Sequence, residues 1–252
     1  FSGSAGSIKI KSTEHYNDLG YDGSTITGVT VAARNPGSWA NGLKVAIIDD
    51  LADQVLTFSS LPANIAVGYG ITQNVPANTV LAGSGTTSLL TGFLKGIVTE
   101  VDSANNKVSV KVLEQVNSAG VSTEINYQPN GIYKFGNTAV AIHTTGVGVA
   151  YTTGNVPTGN VDWFDSQTIQ LTNSTINWNN VADRPGTSSF AESRNSRFDE
   201  VHVVVIDDLG EVTGNAGTIL EKHLALSKAK DGEYSLGSPS YWRKYIYNNS
   251  AN

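Results

Sequence analysis

The sequence predicts an α+β fold that is predominantly β: an α/β layer made from the two ends of the chain, interrupted by an inserted small β-barrel or sandwich-like domain. Three observations predict it. Gly, Ser, Thr and Asn are abundant while charged residues make up only 15%, which suits short strands joined by polar turns. Evenly spaced short strand patterns fill the middle of the chain, as in a small barrel or sandwich. The last fifty residues or so instead carry a strongly apolar strand followed by helical periodicity. At 252 residues the chain has room for two modest domains.

Taken in order, Ser7-Ile8-Lys9-Ile10-Lys11 alternates with the two-residue period of a half-buried strand. Residues 28–33 read as a second strand, and Asn35-Pro36-Gly37-Ser38 as a turn, with proline fixing φ. Leu43-Lys44-Val45-Ala46-Ile47-Ile48 is a third strand, ended by Asp49-Asp50. Further strands are expected at 55–58, 79–82, 92–101, 107–114 and 138–143. Turns are expected at Gly68-Tyr69-Gly70, Asn105-Asn106 and Asn130-Gly131. The clearest hairpin pairs 96–101 with 107–112, since both halves alternate. These patterns divide the chain into a discontinuous domain, 1–52 with 152–252, and an inserted β-rich domain, 53–151.

Residues 154–197 are polar, with Trp163, Phe164 and Trp178 as isolated anchors, and read as a long surface excursion. Residues 200–206 form the most apolar strand, a continuous run of the kind needed by a strand covered on both faces, and so a central one. Residues 218–230 show the helical period, with Ile219, Leu220, His223 and Leu224 on one face and Gly232 past the end. A second helix is expected to start with Ser238 as N-cap and Pro239 at its first position, with Tyr241, Trp242, Tyr245 and Ile246 as its apolar stripe.

Charge and composition exclude several classes of function. The net charge of −6, from 16 basic and 22 acidic residues, with the basic ones scattered, argues against nucleic acid as a partner. No apolar run approaches the roughly 18 to 20 residues of a membrane helix, so the chain reads as soluble with no membrane partner. Cysteine and methionine are both absent, which removes disulfides, thiolate nucleophiles and Cys-based zinc sites. A chain opening on Phe1 and stopping after an aromatic-rich segment reads as a piece of a longer one.

The search for chemistry yields no catalytic, cofactor-binding or metal residues. His15, His143, His202 and His223 occur in four contexts, without the spacing of a zinc helix. His202 is expected to hydrogen-bond on one face of its strand, and His223 to lie on a helix face. Gly83-Ser84-Gly85-Thr86-Thr87-Ser88 and Gly146-Val147-Gly148 lack the lysine and following helix of a phosphate loop. Asp49-Asp50 and Asp207-Asp208 lack the ligand spacing of a helix-loop-helix calcium site and read as strand ends. Asp162 and Asp165, beside Trp163 and Phe164, are the only aromatic-flanked acids that suggest a paired-carboxylate hydrolase. Not an enzyme, and without cofactors, is therefore the expectation.

Two segments carry a recognisable pattern. NPGSWANGLKVAI, from position 35 to 47, resembles the motif with which contractile-tail sheath proteins of bacteriophages enter a strand. VHVVVIDDLGEVTGNAGTILEKHLALSKAKDGEYSLGSPSYWRKYIYNNS, from 201 to 250, is similar to the same family's strand, acidic turn, "G-x-x-LE" and "LS-x-A-x-D" helix, and aromatic "YW…YI…S" helix. GFLKGIV, 92–98, fits the myovirus members more loosely, and 154–197 matches nothing.

The resemblance implies a structural subunit of the phage tail, located in the virion on the outside of the tail and made in the cytoplasm of the host bacterium. In that family, hexameric rings of identical copies stack around an inner tail tube above a baseplate. They contract to drive the tube through the host envelope during genome ejection, with subunits moving largely as rigid bodies. Neighbours are stitched by terminal arms that add strands to a shared sheet. Those arms are not in this sequence, which implies an internal, peripheral part of the subunit that is monomeric alone. The competing class is a carbohydrate-binding or adhesive β module, in which Trp163, Trp178 and Tyr151 would stack on sugars.

Overall fold

The computed structural model describes residues 12–18, 31–35, 37–74, 92–117, 119–129, 131, 133–143 and 150–252, the side chains of 150–154 excepted. The strands expected at 7–11 and 79–82, residues 28–30 of that expected at 28–33, and both glycine-rich stretches lie outside the described residues; 31–33 are described and form no strand. In chain order the elements are α1 (Thr13–Asp18), β1 (Leu43–Asp49), β2 (Gln54–Thr57), β3 (Gly70–Asn74), β4 (Phe93–Asp102), β5 (Lys107–Val116), β6 (Ser122–Glu124), β7 (Val140–His143), β8 (Ala150–Asn155) and β9 (Gly159–Asp162). They continue with β10 (Thr168–Gln170), β11 (Thr175–Asn177), α2 (Ser189–Glu192), β12 (Glu200–Asp207), β13 (Thr218–Ser227), β14 (Glu233–Ser235), β15 (Ser238–Pro239) and α3 (Trp242–Asn249). The protein is predominantly β, and its sheets are antiparallel. Contacts divide it into two units, Phe1–Asp50 with Thr168–Asn252, and Leu51–Gln167.

The Leu51–Gln167 unit is one eight-stranded sheet in the order β8-β7-β3-β4-β5-β2-β9, with β6 paired to the end of β5. Its centre is the expected hairpin, β4 against β5. Asn106 takes positive φ in the turn, and the Asp102 carboxylate accepts from the amides of Ala104 and Asn105. Alternation puts Leu94, Val98, Val108, Val110 and Val112 on one face, where they pack with Leu56, Ile71, Ile142 and Phe135. Two buried glutamines fix the segment that crosses this core. Gln54 bonds the Phe135 N–H and C=O at 2.7 and 3.0 Å, and Gln73 bonds Gly136 and Thr138.

Of the barrel or sandwich expected here, a closed barrel is not formed among the described residues. Among the described residues β8 and β9 are the sheet's two edges, with no strand joining them. Closure requires every edge to find a partner, whereas β5 spends its pairing on β4 along one side and on β2 and β6 in succession along the other.

The other unit is built around β12, the central strand of β1-β12-β13. As expected, β12 is covered on both faces. Val201 and Val203, with Leu226 of β13, pack against Val45, Trp242, Tyr245 and Ile246, so the aromatic stripe of α3 covers one face. On the other, buried His202, Val204 and Ile206 lie under 168–183, which is tied down by Lys44 to the Gln170 carbonyl and Lys222 to the Val181 carbonyl.

Three expectations need correction. Residues 218–230 are not helical: 218–227 form β13, paired antiparallel with β12. Leu, Glu, Lys and Ala favour a helix locally, but the open edge of an all-apolar β12 needs a hydrogen-bonding partner, and that tertiary demand overrides a weak propensity. The last helix begins at Trp242, because Ser238 and Pro239 instead pair with β14. The stretch 154–197 is no free excursion. It supplies β9, the β10–β11 hairpin and α2, and buries Trp163, Phe164, Ile169, Leu171, Val181 and Ala191.

Candidate functional site: the motif-bearing sheet

The two segments that share a pattern lie far apart in the chain, yet fold as adjacent strands. β1 pairs with β12 in unbroken register from Leu43↔Asp207 to Asp49↔Val201. The lead-in to β1 is shaped by its glycines. A Cβ on Gly37 would stand 2.2 Å from the Trp39 indole nitrogen, so the ring lies directly over the glycine. A Cβ on Gly42 would press on Leu209 and Glu211 at 3.0 to 3.2 Å, and the Gly42 carbonyl accepts the Leu209 N–H. Gly42 thus lets the start of β1 dock against the β12–β13 loop, while Gly37 makes room for the Trp39 ring.

That loop is organised by the acidic doublet. One oxygen of Asp207 accepts from the amides of Val212 and Thr213 and from the Thr213 hydroxyl, at 3.0, 2.7 and 2.8 Å. Burial opposes its charge, but these donors outweigh burial and hold its carboxyl below the usual range. Asp208 takes both the amide and the hydroxyl of Thr172. At the other end of β1, Asp49 pairs with Lys228 at 2.7 Å and Asp50 with Arg184 at 3.0 Å. Among the described residues no three His, Asp or Glu side chains converge to hold a metal. Each acid of these doublets already has a protein donor.

His202 does what its strand position implies. Its Nδ1 accepts the Ala225 N–H at 2.9 Å, so Nε2 carries the proton and donates to the Asp183 carbonyl, also at 2.9 Å. The Ala225 amide needs it because β13 bulges there: the register jumps from Val201↔Leu226 to Val203↔His223, and Ala225 sits at φ 53°. His223 lies on a strand rather than a helix, with Nε2 2.6 Å from Glu221 Oε2 and the Tyr245 ring edge-on to its own. His143 bonds the Thr72 hydroxyl, and the amide of His15 bonds Ser12. The four histidines are brought to four separate places.

The hydrolase candidates are brought together only in part. Asp162 Oδ1 accepts the backbone N–H of Asp165 at 3.1 Å, just ahead of the 3-10 turn Phe164–Ser166, whose N-cap is Trp163. Asp165 itself is exposed. Trp163 is 5% exposed, so its ring has no free face to stack on a sugar, and Trp178 is half-buried.

Three buried polar groups went unseen in the sequence. Lys111 and Asp53 pair at 3.4 Å with 6% and 2% side-chain exposure, and Asp53 also accepts the Val112 amide. Asp199 gathers the amide and hydroxyl of Ser188, the N-cap of α2, and the hydroxyl of Ser227. Lys111 has the alternation of an outward-facing strand residue, and nothing local marks that face as covered. No helix among the described residues is long and apolar enough to cross a membrane. No protein-family profile matches the chain, and no curated protein or solved structure matches it either.

Proposed function

We propose that the chain is part of a structural subunit of a contractile phage tail sheath, a virion component rather than an enzyme. The supporting observation is the adjacency of the two motif-bearing segments. A chance resemblance in pieces more than 150 positions apart has no reason to fall on hydrogen-bonded neighbours, yet 43–49 and 201–207 pair residue for residue. One glycine of the first segment, Gly42, fits against Leu209 and Glu211 of the second. The strand at 218–227 departs from the helix that the resemblance implied there, so the support rests on the pairing of 43–49 with 201–207.

In this reading the Leu51–Gln167 unit is an insertion into the motif-bearing unit, and the chain as a whole belongs to the outward-facing part of the subunit. Copies of the full-length protein form hexameric rings around the tube, meet the baseplate, and contract to drive the tube through the host envelope. Electron microscopy of the full-length protein tests this. Helically striated tubes or stacked rings, decorated along their whole length by antibodies raised against this chain, are expected. Decoration confined to fibre tips or to the capsid, with no tubular assembly, would overturn it. A glycan array giving one clean signal that is lost in a folded Trp178→Ala variant, at the half-buried tryptophan, would favour the adhesive module instead.

A further inference from the structure

The segment after α3 is tied to β13 by a carboxylate. Glu221, in the middle of β13, points its Oε1 at the amides of Ala251 and Asn252, at 3.1 and 3.0 Å, and at the Asn252 side-chain amide. Its Oε2 takes His223 Nε2 at 2.6 Å. Asn252 in turn accepts the backbone N–H of Arg34 at 3.0 Å, and the Arg34 guanidinium reaches the Tyr247 carbonyl at the end of α3. Residues 31–35, the end of α3 and residues 250–252 therefore converge on one strand through one acid.

We propose that Glu221 is an acid-released latch: its carboxylate fixes residues 250–252, and with them Arg34, to β13, and its protonation frees them while the sheet stays folded. Two features make the release local. The sheet's own contacts, Val201, Val203 and Leu226 under Trp242, Tyr245 and Ile246, do not pass through Glu221. Among the described residues, the bonds of 250–252 besides those to Glu221 are the Ser250 N–H to the Ile246 carbonyl and the Arg34 N–H to the Asn252 carbonyl. Segments with little buried apolar surface open at a small fraction of the global free energy.

The groups facing Glu221 are His223 on its own strand, Tyr245 of α3 beside that histidine, and Arg34 beyond Asn252. Burial opposes the Glu221 charge, but donation from His223, Asn252, Ser250 and Ala251 outweighs it and lowers its pKa. Release accordingly falls below the ordinary glutamate range.

Amide NMR on the 15N-labelled chain tests this. The Ala251 and Asn252 amide protons should titrate together, with a midpoint below the ordinary glutamate value of about 4.3, while the amides of Val203, Val204 and Val205 do not follow. Glu221→Gln should place both signals at their acid positions already at neutral pH and speed their exchange by roughly tenfold to a hundredfold, the loss of charge-assisted hydrogen bonds. If Glu221→Gln unfolds the chain, the wild-type titration alone decides. Amides at 251 and 252 that ignore pH, or that move only together with those of β12, would overturn the latch.

Discussion

At the scale of the residue, Ala225 is the most strained position that the structure explains. It occupies the left-handed region, where a Cβ costs about 1 to 2 kcal/mol, inside a bulge whose unpaired N–H is taken by His202 and whose C=O accepts from Tyr234 at 3.2 Å. Ala225→Gly should therefore stabilise the protein, by about 0.5 to 1 kcal/mol once glycine's greater chain entropy is counted. A lower urea midpoint for the variant would contradict this. His202→Leu is the opposite case. It keeps the volume but removes the partner of the Ala225 amide and of the Asp183 carbonyl in a part-buried place, at about 0.5 to 1.5 kcal/mol each, and the urea midpoint should fall accordingly. The hydrogen-bonding role of His202 was legible from its place between Val201 and Val203. The bulge it serves was not, because no glycine or asparagine marks 225 as left-handed.

At the scale of the element, β13 shows why local pattern misled. Ile219, Leu220, His223 and Leu224 recur at helical spacing, and the same residues also tolerate a strand, so only the neighbouring strand decides. The two readings assign different cores. A helix would bury Leu224, whereas β13 leaves it 42% exposed and puts Leu226 at 1%. Leu226→Ala should then cost about 2 to 5 kcal/mol and Leu224→Ala less than about 0.5 kcal/mol; reversed magnitudes in urea unfolding would restore the helix. The joint between β13 and α2 also has a pH signature. Burial opposes the charge of Asp199, yet the hydroxyl of Ser227 and the amide and hydroxyl of Ser188 outweigh it, leaving its pKa lowered. A carboxyl depressed in the folded state contributes stability that is fully present above its unfolded value, about 3.9. That contribution is lost as pH falls through the lower folded value. Asp199→Asn should thus be less stable than wild type at pH 6, with the gap narrowing towards pH 2. A gap that is constant with pH would show that the charge contributes nothing.

At the scale of the whole molecule, the sequence disclosed the strands of the middle region but not how they close. Alternation marks which residues of β4 and β5 face the core, and those assignments need only the neighbouring strand. Whether a sheet of such strands curls into a barrel depends on what its two edge strands meet, and nothing in β8 or β9 encodes that locally. The same limit hid Lys111 and Asp53, whose burial comes from residues distant in sequence. Their pair gives a prediction for the Leu51–Gln167 unit. Lys111→Met leaves Asp53 buried without its cation and should cost about 3 to 5 kcal/mol, much of which should return on adding Asp53→Asn, since breaking a buried pair is far worse than removing it. That expectation presumes that the unit stands on its own core. Its buried cluster, from Leu56 to Ile142, lies wholly inside 51–167, and a span of that length is well above the roughly 70 to 80 residues below which one core rarely suffices. Residues 51–167 expressed alone should consequently unfold in one cooperative urea transition with the circular dichroism of a β protein, and Lys111→Met should lower its midpoint as it does in the full chain. A broad, non-cooperative transition would mean that this sheet depends on the rest of the chain, and the Leu51–Gln167 unit would then not be an independent insertion.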